Sequence, residues 1–374
     1  MGEFVFFDWN ATAPLAPESL AAMVEAAGVA GANPSSVHRA GRLARRILED
    51  LREELARTLE ASPRDVVLTG SGTEANNIAV RAPFVEGHGV LVTSRLEHPS
   101  VTRVAEALER EGRAQVHWAR VSASGTIDVD DVRACLARGG VRLVALQAVN
   151  QETGVAQPLE VVHAECMNIG VPLHVDAVQA FGRTASPLLG TTRTVAAHKL
   201  RGPKGIGALV GSCGHRLHPV LLGGAQEKGL RPGTLDPMAA AGFLAALRSV
   251  SACQAGFEAQ RARRDRLEAA VLALFPGSTV NGDTPSRLAH VSNIALAGLA
   301  GAEAVVALDL EGVGVSSGSA CSAGTLEPSP VIAAMHDEAR ARRSIRMSLG
   351  PTTTDDHVSL AIAAFERLAA RMKR

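Results

Sequence analysis

Short runs rich in aliphatic and β-branched residues alternate with helical segments through the first half of this 374-residue chain. The runs occupy residues 65–69, 90–93, 141–146 and 171–175, and helical periodicity fills stretches between them such as 101–110 and 130–138. This spacing is typical of βαβ crossovers, which build a mostly parallel sheet covered by helices. Because ligands bind at the carboxyl ends of such strands, the residues that follow each run are the first candidates for a functional site.

The pattern changes after about residue 237. An alanine-rich helical stretch leads to strand-like runs at 291–296 and 345–349 and to a final helix with one apolar face. We therefore predict an α/β fold with a mostly parallel central sheet flanked by helices, and a smaller α+β C-terminal domain. The predicted large domain comprises residues 15–250. Residues 1–14 and 251–374 form the predicted small domain, which carries a small-residue loop at about 314–327.

The composition argues against several classes of partner. Lys+Arg and Asp+Glu are equal at 38 each, so the chain has no net charge with which to attract nucleic acid or an anionic membrane. No stretch approaches the roughly 18 uninterrupted apolar residues of a membrane span, and the N-terminus lacks a basic region ahead of its apolar run. We therefore expect a cytoplasmic protein. Five cysteines without a Cys-x-x-Cys pair predict neither a disulfide scaffold nor a metal site.

Two residues carry the strongest chemical signal. Lysine occurs only four times, and Lys199 stands in a glycine-rich segment. A lysine amine can form a Schiff base with an aldehyde once burial or charge lowers its pKa, whereas arginine cannot; an ordinary surface cation is the alternative. Asp176 places a carboxylate at the functional edge of the sheet, where a protonated pyridine nitrogen or an arginine could pair with it.

Further positions could complete a site. Gly72 and Thr73 open a helix, where N–H groups suit a phosphate, although a capped turn is the ordinary alternative. His98 could stack on a flat ring, shuttle a proton, or be a loop histidine. Arg346 suits bidentate capture of a carboxylate, with an interdomain ion pair equally open. Most free cysteines are buried core residues, but Cys321 lies in the small-residue loop, where we expect a thiol to be accessible and mobile, as a travelling nucleophile requires.

Several motifs occur together and in order along nearly the whole chain. They are the stretches 8–14, 33–38, 73–77, 176–179, 197–205, 233–234 and 314–324. In this combination the chain resembles the cysteine desulfurases of the NifS/IscS type, which belong to the class V aminotransferase group of pyridoxal 5'-phosphate (PLP) enzymes. The resemblance implies the type I fold of PLP-dependent transferases, L-cysteine as substrate, alanine as product, and a homodimer.

The resemblance also implies a role for each matching residue. Lys199 would hold PLP covalently, Asp176 would pair with its pyridine nitrogen, and His98 would stack on its ring. The implied cofactor-binding residues are Gly72, Thr73, Gln151, Asp176, Gln179, His198, Lys199 and, from the second subunit, Thr234. The implied substrate-binding residues are Arg346, Asn150 and Ala11. Lys199, His98 and Cys321 would be catalytic, and Cys321 would take the sulfur as a persulfide and pass it to an acceptor protein for iron–sulfur cluster assembly or thiolation.

Several features depart from the family pattern, among them a shorter interval between Gln179 and Lys199 and an inverted Gly70-Ser71. Gln151 stands where a second asparagine is usual, and Ala196 stands where a phosphate-binding serine is usual. A lost neutral hydrogen bond is worth about 0.5–1.5 kcal/mol, so we expect weaker cofactor binding and slower or more selective turnover. Two alternatives stay open: another class V PLP enzyme, such as a selenocysteine lyase, and a catalytically weakened PLP-fold partner protein.

Overall fold

The computed structural model describes residues 4–212, 214–282, 285–318 and 328–372. The strands are β1 (Val5–Phe6), β2 (Val66–Thr69), β3 (Gly89–Ser94), β4 (Ala114–Ala119), β5 (Val141–Gln147), β6 (Leu173–Asp176), β7 (Thr192–Ala196), β8 (Gly207–Gly211), β9 (Thr279–Val280), β10 (Val291–Ala295), β11 (Val313–Gly314) and β12 (Ser344–Ser348). The helices are α1 (Pro17–Val29), α2 (Arg39–Thr58), α3 (Gly72–Val85), α4 (Pro99–Arg110), α5 (Val129–Arg138), α6 (Leu159–Ile169), α7 (Pro237–Arg248), α8 (Val250–Glu258), α9 (Arg261–Leu274), α10 (Gly301–Leu310), α11 (Pro330–Met335), α12 (Glu338–Arg342) and α13 (Asp355–Met372).

A seven-stranded sheet with the order β2-β8-β7-β6-β5-β3-β4 forms the core of the first two thirds of the chain. The pairs from β4 to β7 are parallel, and β8 is antiparallel to both β7 and β2. Leu143, Val144 and Ala145 of β5 are all fully buried, as expected for a strand with helices over both faces. The predicted α/β fold with a mostly parallel central sheet is confirmed.

The register of the inner strands brings distant residues to one edge. Asp176, the last residue of β6, is paired with Gln147 at the end of β5 and with Thr194 near the end of β7. The turns after β2, β3, β5, β6 and β7 therefore converge at the carboxyl ends of the strands, where ligands bind in sheets of this kind.

The C-terminal strands form two smaller sheets. β10 pairs antiparallel with β12 and β9, and β1 pairs parallel with β11. Phe7, Ile294, Ile345 and Phe365 belong to a hydrophobic cluster separate from that of the large sheet. β1, near the start of the chain, is thus paired with a strand of the C-terminal part. The division into residues 15–250 and residues 1–14 with 251–374 stays a prediction.

Among the described residues, no single helix is long and apolar enough to cross a membrane. One bent helix pair, Pro237–Arg248 with Val250–Leu274, has the required length and composition only when its two members are taken together.

Candidate active site

A cavity of about 400 Å³ lies at the carboxyl ends of the central strands. Most of the residues predicted from the sequence line it. They are Ala11, Gly72, Thr73, His98, Gln151, Asp176, Gln179, His198, Lys199 and Arg346. The remaining three are placed differently: Asn150 and Thr234 are not among the lining residues, and Cys321 lies outside the residues that the structure describes.

Lys199 is buried at the end of a short 3-10 turn that follows β7. Its Nζ donates a hydrogen bond of 2.8 Å to the carbonyl oxygen of Ala11 and another to the carbonyl oxygen of Asn10. The alternative of a surface cation is therefore wrong. The amine stands on the cavity wall, where an aldehyde could reach it.

Asp176 is held by neutral donors. Its Oδ2 accepts a 2.8 Å hydrogen bond from Nδ2 of Asn76, and its Oδ1 accepts one of 3.0 Å from the backbone N–H of Val178. Within the described part of the chain, no arginine pairs with this carboxylate. These two hydrogen bonds fix the orientation of the Asp176 carboxyl group on the cavity wall.

His98 is the N-terminal cap of α4. Its Nδ1 accepts a 3.1 Å hydrogen bond from the backbone N–H of Ser100. Burial lowers the pKa of His98, the charge of Asp176 opposes this shift, and that of Lys199 adds to it. The imidazole is thus neutral at physiological pH and fixed by the helix that it caps.

The start of α3 forms one corner of the cavity. Ser71 caps this helix by accepting a hydrogen bond from the N–H of Glu74. A Cβ on Gly72 would lie only 2.9 Å from Cγ2 of Val178 and 3.6 Å from Cβ of Ala196. Glycine therefore lets the helix start approach β6 and β7 closely, and Ala196 presents a methyl group where a hydroxyl would be a further donor.

His198 completes the same corner. Its Nδ1 lies 3.2 Å from Oγ1 of Thr12. Burial, followed by the charges of Lys199 and Arg183, lowers the pKa of His198 to about 3. The ring is therefore neutral and can donate a hydrogen bond from one of its nitrogens.

Arg346 is 2% exposed and extends from β12 to the cavity. Its Nη1 donates a 3.1 Å hydrogen bond to the carbonyl oxygen of Gln151, and its Nη2 forms an ion pair with Asp8. The ion-pair alternative is thus observed, and the guanidinium nevertheless lines the cavity. Nε of Arg346 is buried and has no hydrogen-bond partner among the described residues.

Two residues predicted to bind substrate or cofactor, Asn150 and Thr234, do not line this cavity. The Oδ1 of Asn150 accepts hydrogen bonds from the backbone N–H groups of Glu152 and Thr153, so its side chain shapes the turn that presents Gln151. Thr234 lines a separate cavity together with Asn33.

The sequence reasoning missed Arg183, a fully buried arginine below the cavity. Its Nη1 donates hydrogen bonds of 2.7 Å to Oδ1 of Asn10 and Oε1 of Gln179, and its Nη2 donates one of 3.1 Å to the carbonyl oxygen of Lys199. Burial lowers the pKa of Arg183 to about 10. Its spacing of four residues from Gln179 was the only local signal.

Comparison with known proteins connects this geometry to a family. The aminotransferase class V profile matches residues 5–360. The chain belongs to the class V aminotransferase family. Among curated relatives, an IscS-like cysteine desulfurase of Mycobacterium tuberculosis is 36% identical, with 99% of this chain and 97% of the relative covered. The recognition as a cysteine desulfurase of the NifS/IscS type is confirmed by this relative and by a cysteine desulfurase of Trichormus azollae, 34% identical over 99% of this chain and 94% of the relative.

Comparison with solved structures supports the assignment of this chain to the class V aminotransferase family. A NifS-like protein superimposes with a TM-score of 0.90 at 26% identity, covering 98% of this chain and all of the other. The similarity supports the fold over the whole length, including the elements that build the cavity.

Proposed function

We propose that this protein is a PLP-dependent cysteine desulfurase that converts L-cysteine to L-alanine and takes the sulfur onto Cys321. The observation that carries the proposal is the presence of the Lys199 amine and the Asp176 carboxylate on the walls of one cavity. The desulfurase relatives support the same reaction. Sulfur would then pass to an acceptor protein for iron–sulfur cluster assembly or thiolation.

The residues present fit PLP. A buried amine suits its aldehyde, an ionised carboxylate suits its pyridine nitrogen, and a helix start suits its phosphate. Lys199, Asp176 and Thr73 would hold these three groups, with Gly72, His198, Gln151 and Gln179 around them. When bound, PLP supplies an electron sink that makes bonds at the α-carbon of an amino acid easier to break.

The side chains of this protein would perform the remaining tasks. Arg346 would bind the carboxylate of L-cysteine through donors beyond its ion pair with Asp8, and Ala11 would lie beside the substrate. Asn150, which does not line the cavity, would act only through the turn that presents Gln151. Lys199 would carry protons to and from the substrate carbon. His98 would lie against the cofactor ring.

The sulfur transfer balances without an external oxidant. The carbon–sulfur bond of L-cysteine breaks and a sulfur–sulfur bond to Cys321 forms, so the thiol becomes a persulfide while the carbon gains hydrogen and leaves as alanine. A thiol reductant then releases the sulfur as sulfide and regenerates the thiol of Cys321.

A second copy of the chain is part of the proposal. Thr234 is absent from the walls of the cavity that contains Lys199, so it would contribute to phosphate binding only from the partner subunit of a homodimer.

The test is incubation of the PLP-loaded protein with L-cysteine and a thiol reductant, with alanine and sulfide measured together. We expect equal amounts of both, loss of sulfide for Cys321→Ala, and little change for Cys135→Ala, a buried cysteine of α5. Continued sulfur release by Cys321→Ala would instead indicate a lyase that needs no persulfide, such as a selenocysteine lyase. Absence of alanine from the native chain would contradict the proposal and favour a partner protein.

A further inference from the structure

Asn76 has no role in the function proposed above, although it joins two sides of the cavity. This α3 residue is 1% exposed. Its Nδ2 donates 2.8 Å hydrogen bonds to Oδ2 of Asp176 and to Oγ of Ser100, and its Oδ1 lies 3.0 Å from Nε2 of His174. Both hydrogens of the amide and its oxygen are therefore engaged.

The surroundings fix the orientation of this amide. An ionised carboxylate only accepts hydrogen bonds, so the nitrogen of Asn76 must face Asp176. The oxygen then faces His174, whose Nε2 must carry a hydrogen. The other ring nitrogen, Nδ1, lies 2.9 Å from Oγ1 of Thr192 and accepts the hydroxyl hydrogen. His174 is fully buried, which favours its neutral form.

The second hydrogen of the Asn76 amide is donated to Ser100, which in turn contacts His98. Because Oγ of Ser100 accepts from Asn76, its own hydrogen can be donated to Nδ1 of His98, 2.8 Å away. The backbone N–H of Ser100 also donates to that nitrogen. The unprotonated Nδ1 places the hydrogen of the neutral imidazole on Nε2.

We propose that Asn76 is a positioning residue whose amide, oriented by His174, holds the carboxylate of Asp176 in place and links it through Ser100 to His98. The two side chains expected at the pyridine nitrogen and at the ring face of PLP are thus held by one amide. His98 accordingly presents the hydrogen on its Nε2 as a donor. This inference rests on the proposed function for its consequences, but the hydrogen-bond pattern itself does not require PLP.

The first measurement uses the native chain without PLP. Proteins labelled with ¹⁵N in the histidine rings reveal which ring nitrogen carries hydrogen, and His174→Gln and His98→Gln assign the two signals. We expect both histidines to be neutral at pH 7.5 with the hydrogen on Nε2. A hydrogen on Nδ1 of His174 would reverse the amide of Asn76 and overturn the proposal.

The second measurement compares two neighbouring asparagines. Asn76→Ala removes the donor to Asp176, whereas Asn77→Ala removes an exposed bond to a backbone oxygen. Because a lost hydrogen bond to a charged group changes binding by about tenfold or more, we expect Asn76→Ala to weaken PLP binding by at least about tenfold and to shift the absorbance of the bound cofactor. Asn77→Ala should change the dissociation constant less than about twofold.

Equal PLP affinity and spectra for the two variants would overturn the proposal. If Asn76→Ala does not fold, as judged by circular dichroism, the histidine tautomers of the native chain decide the matter. If the native chain binds no PLP, the proposed function fails, while the tautomer of His174 still tests the role of Asn76.

Discussion

Ser329 donates a 2.5 Å hydrogen bond from Oγ to Oε2 of Glu152, a carboxyl group with no exposed surface. The same oxygen lies 3.6 Å from the position that a Cβ on Gly318 would occupy. Residues 318 and 329 flank the stretch that contains Cys321, so Glu152 contacts the chain on both sides of it. Glu152 also follows Gln151, whose carbonyl oxygen binds Arg346. This contact connects the environment of Arg346 with the two sides of the segment that contains Cys321.

Removing the hydroxyl group of Ser329 tests its contact with Glu152. Ser329→Ala deprives Glu152 of its donor and α11 of its N-terminal cap, since Oγ also accepts from the N–H of Ile332. We expect the free energy of unfolding in urea to fall by about 1–3 kcal/mol. Ser359→Ala, at an exposed position of α13, should change it by less than about 0.5 kcal/mol. Equal effects for the two variants would contradict a buried, stabilising contact.

A hydroxyl at residue 196 should strengthen cofactor binding. Ala196 lines the cavity next to the start of α3, and one additional neutral hydrogen bond contributes about 0.5–1.5 kcal/mol. We therefore expect Ala196→Ser to lower the dissociation constant of PLP by about two- to tenfold, measured by absorbance titration of the apoprotein. Thr73→Ala should raise it. An unchanged constant in Ala196→Ser would mean that the phosphate does not bind at this corner.

A buried ion pair supports the edge of the large sheet. Arg52 donates to both carboxylate oxygens of Glu227, which also accepts from the N–H of Leu68. Arg52→Ala leaves that carboxylate buried without a cation, and we expect the free energy of unfolding to fall by about 3–5 kcal/mol.

The matched control lies on the same helix. Arg57 forms an ion pair with Glu54, but its side chain is 72% exposed, against 11% for Arg52. Arg57→Ala should cost less than about 1 kcal/mol. Urea unfolding of both variants in the same buffer decides between a buried and an ordinary surface pair.

The buried His174 makes the free energy of unfolding depend on pH. Burial lowers the pKa of His174 from 6.5 to about 4. Between these values the unfolded chain binds more protons than the folded one, so this contribution to stability is complete above pH 6.5 and is lost as the pH falls towards 4. We expect His174→Gln to lose about 2 kcal/mol less than the native chain when the pH is lowered from 7.5 to 5. Urea unfolding at both pH values measures this difference, and parallel losses would exclude a neutral buried His174.

The sequence predicted the parts of the fold that depend on local periodicity. The runs at 90–93 and 141–146 lie inside β3 and β5, and their burial on both faces requires the apolar residues that made them recognisable. By contrast, β7 and β8 were not predicted. The first contains Thr192, Arg193 and Thr194, and the second is bounded by glycines, so neither has a strong pattern. Their neighbours in the sheet stabilise them.

The candidate site likewise contains residues that the sequence predicted and contacts that only the structure shows. Asp176, His98 and Thr73 follow runs that were predicted as strands, and a parallel sheet brings the ends of its strands to one edge. These residues could therefore be proposed from their positions in the chain, aided by a resemblance that runs along nearly its whole length. Lys199 follows the unpredicted β7 and was recognised by the rarity of lysine and by its glycine-rich segment.

The partners of these side chains were decided by the tertiary structure alone. Asn76 binds Asp176 across 100 positions, and Arg346 pairs with Asp8 across 338. Strand register and helix packing set such contacts, and a single sequence does not specify either one locally. The sequence thus determined which groups could do the chemistry, whereas the register of β5, β6 and β7 and the packing of α3 decided how each group is charged and oriented.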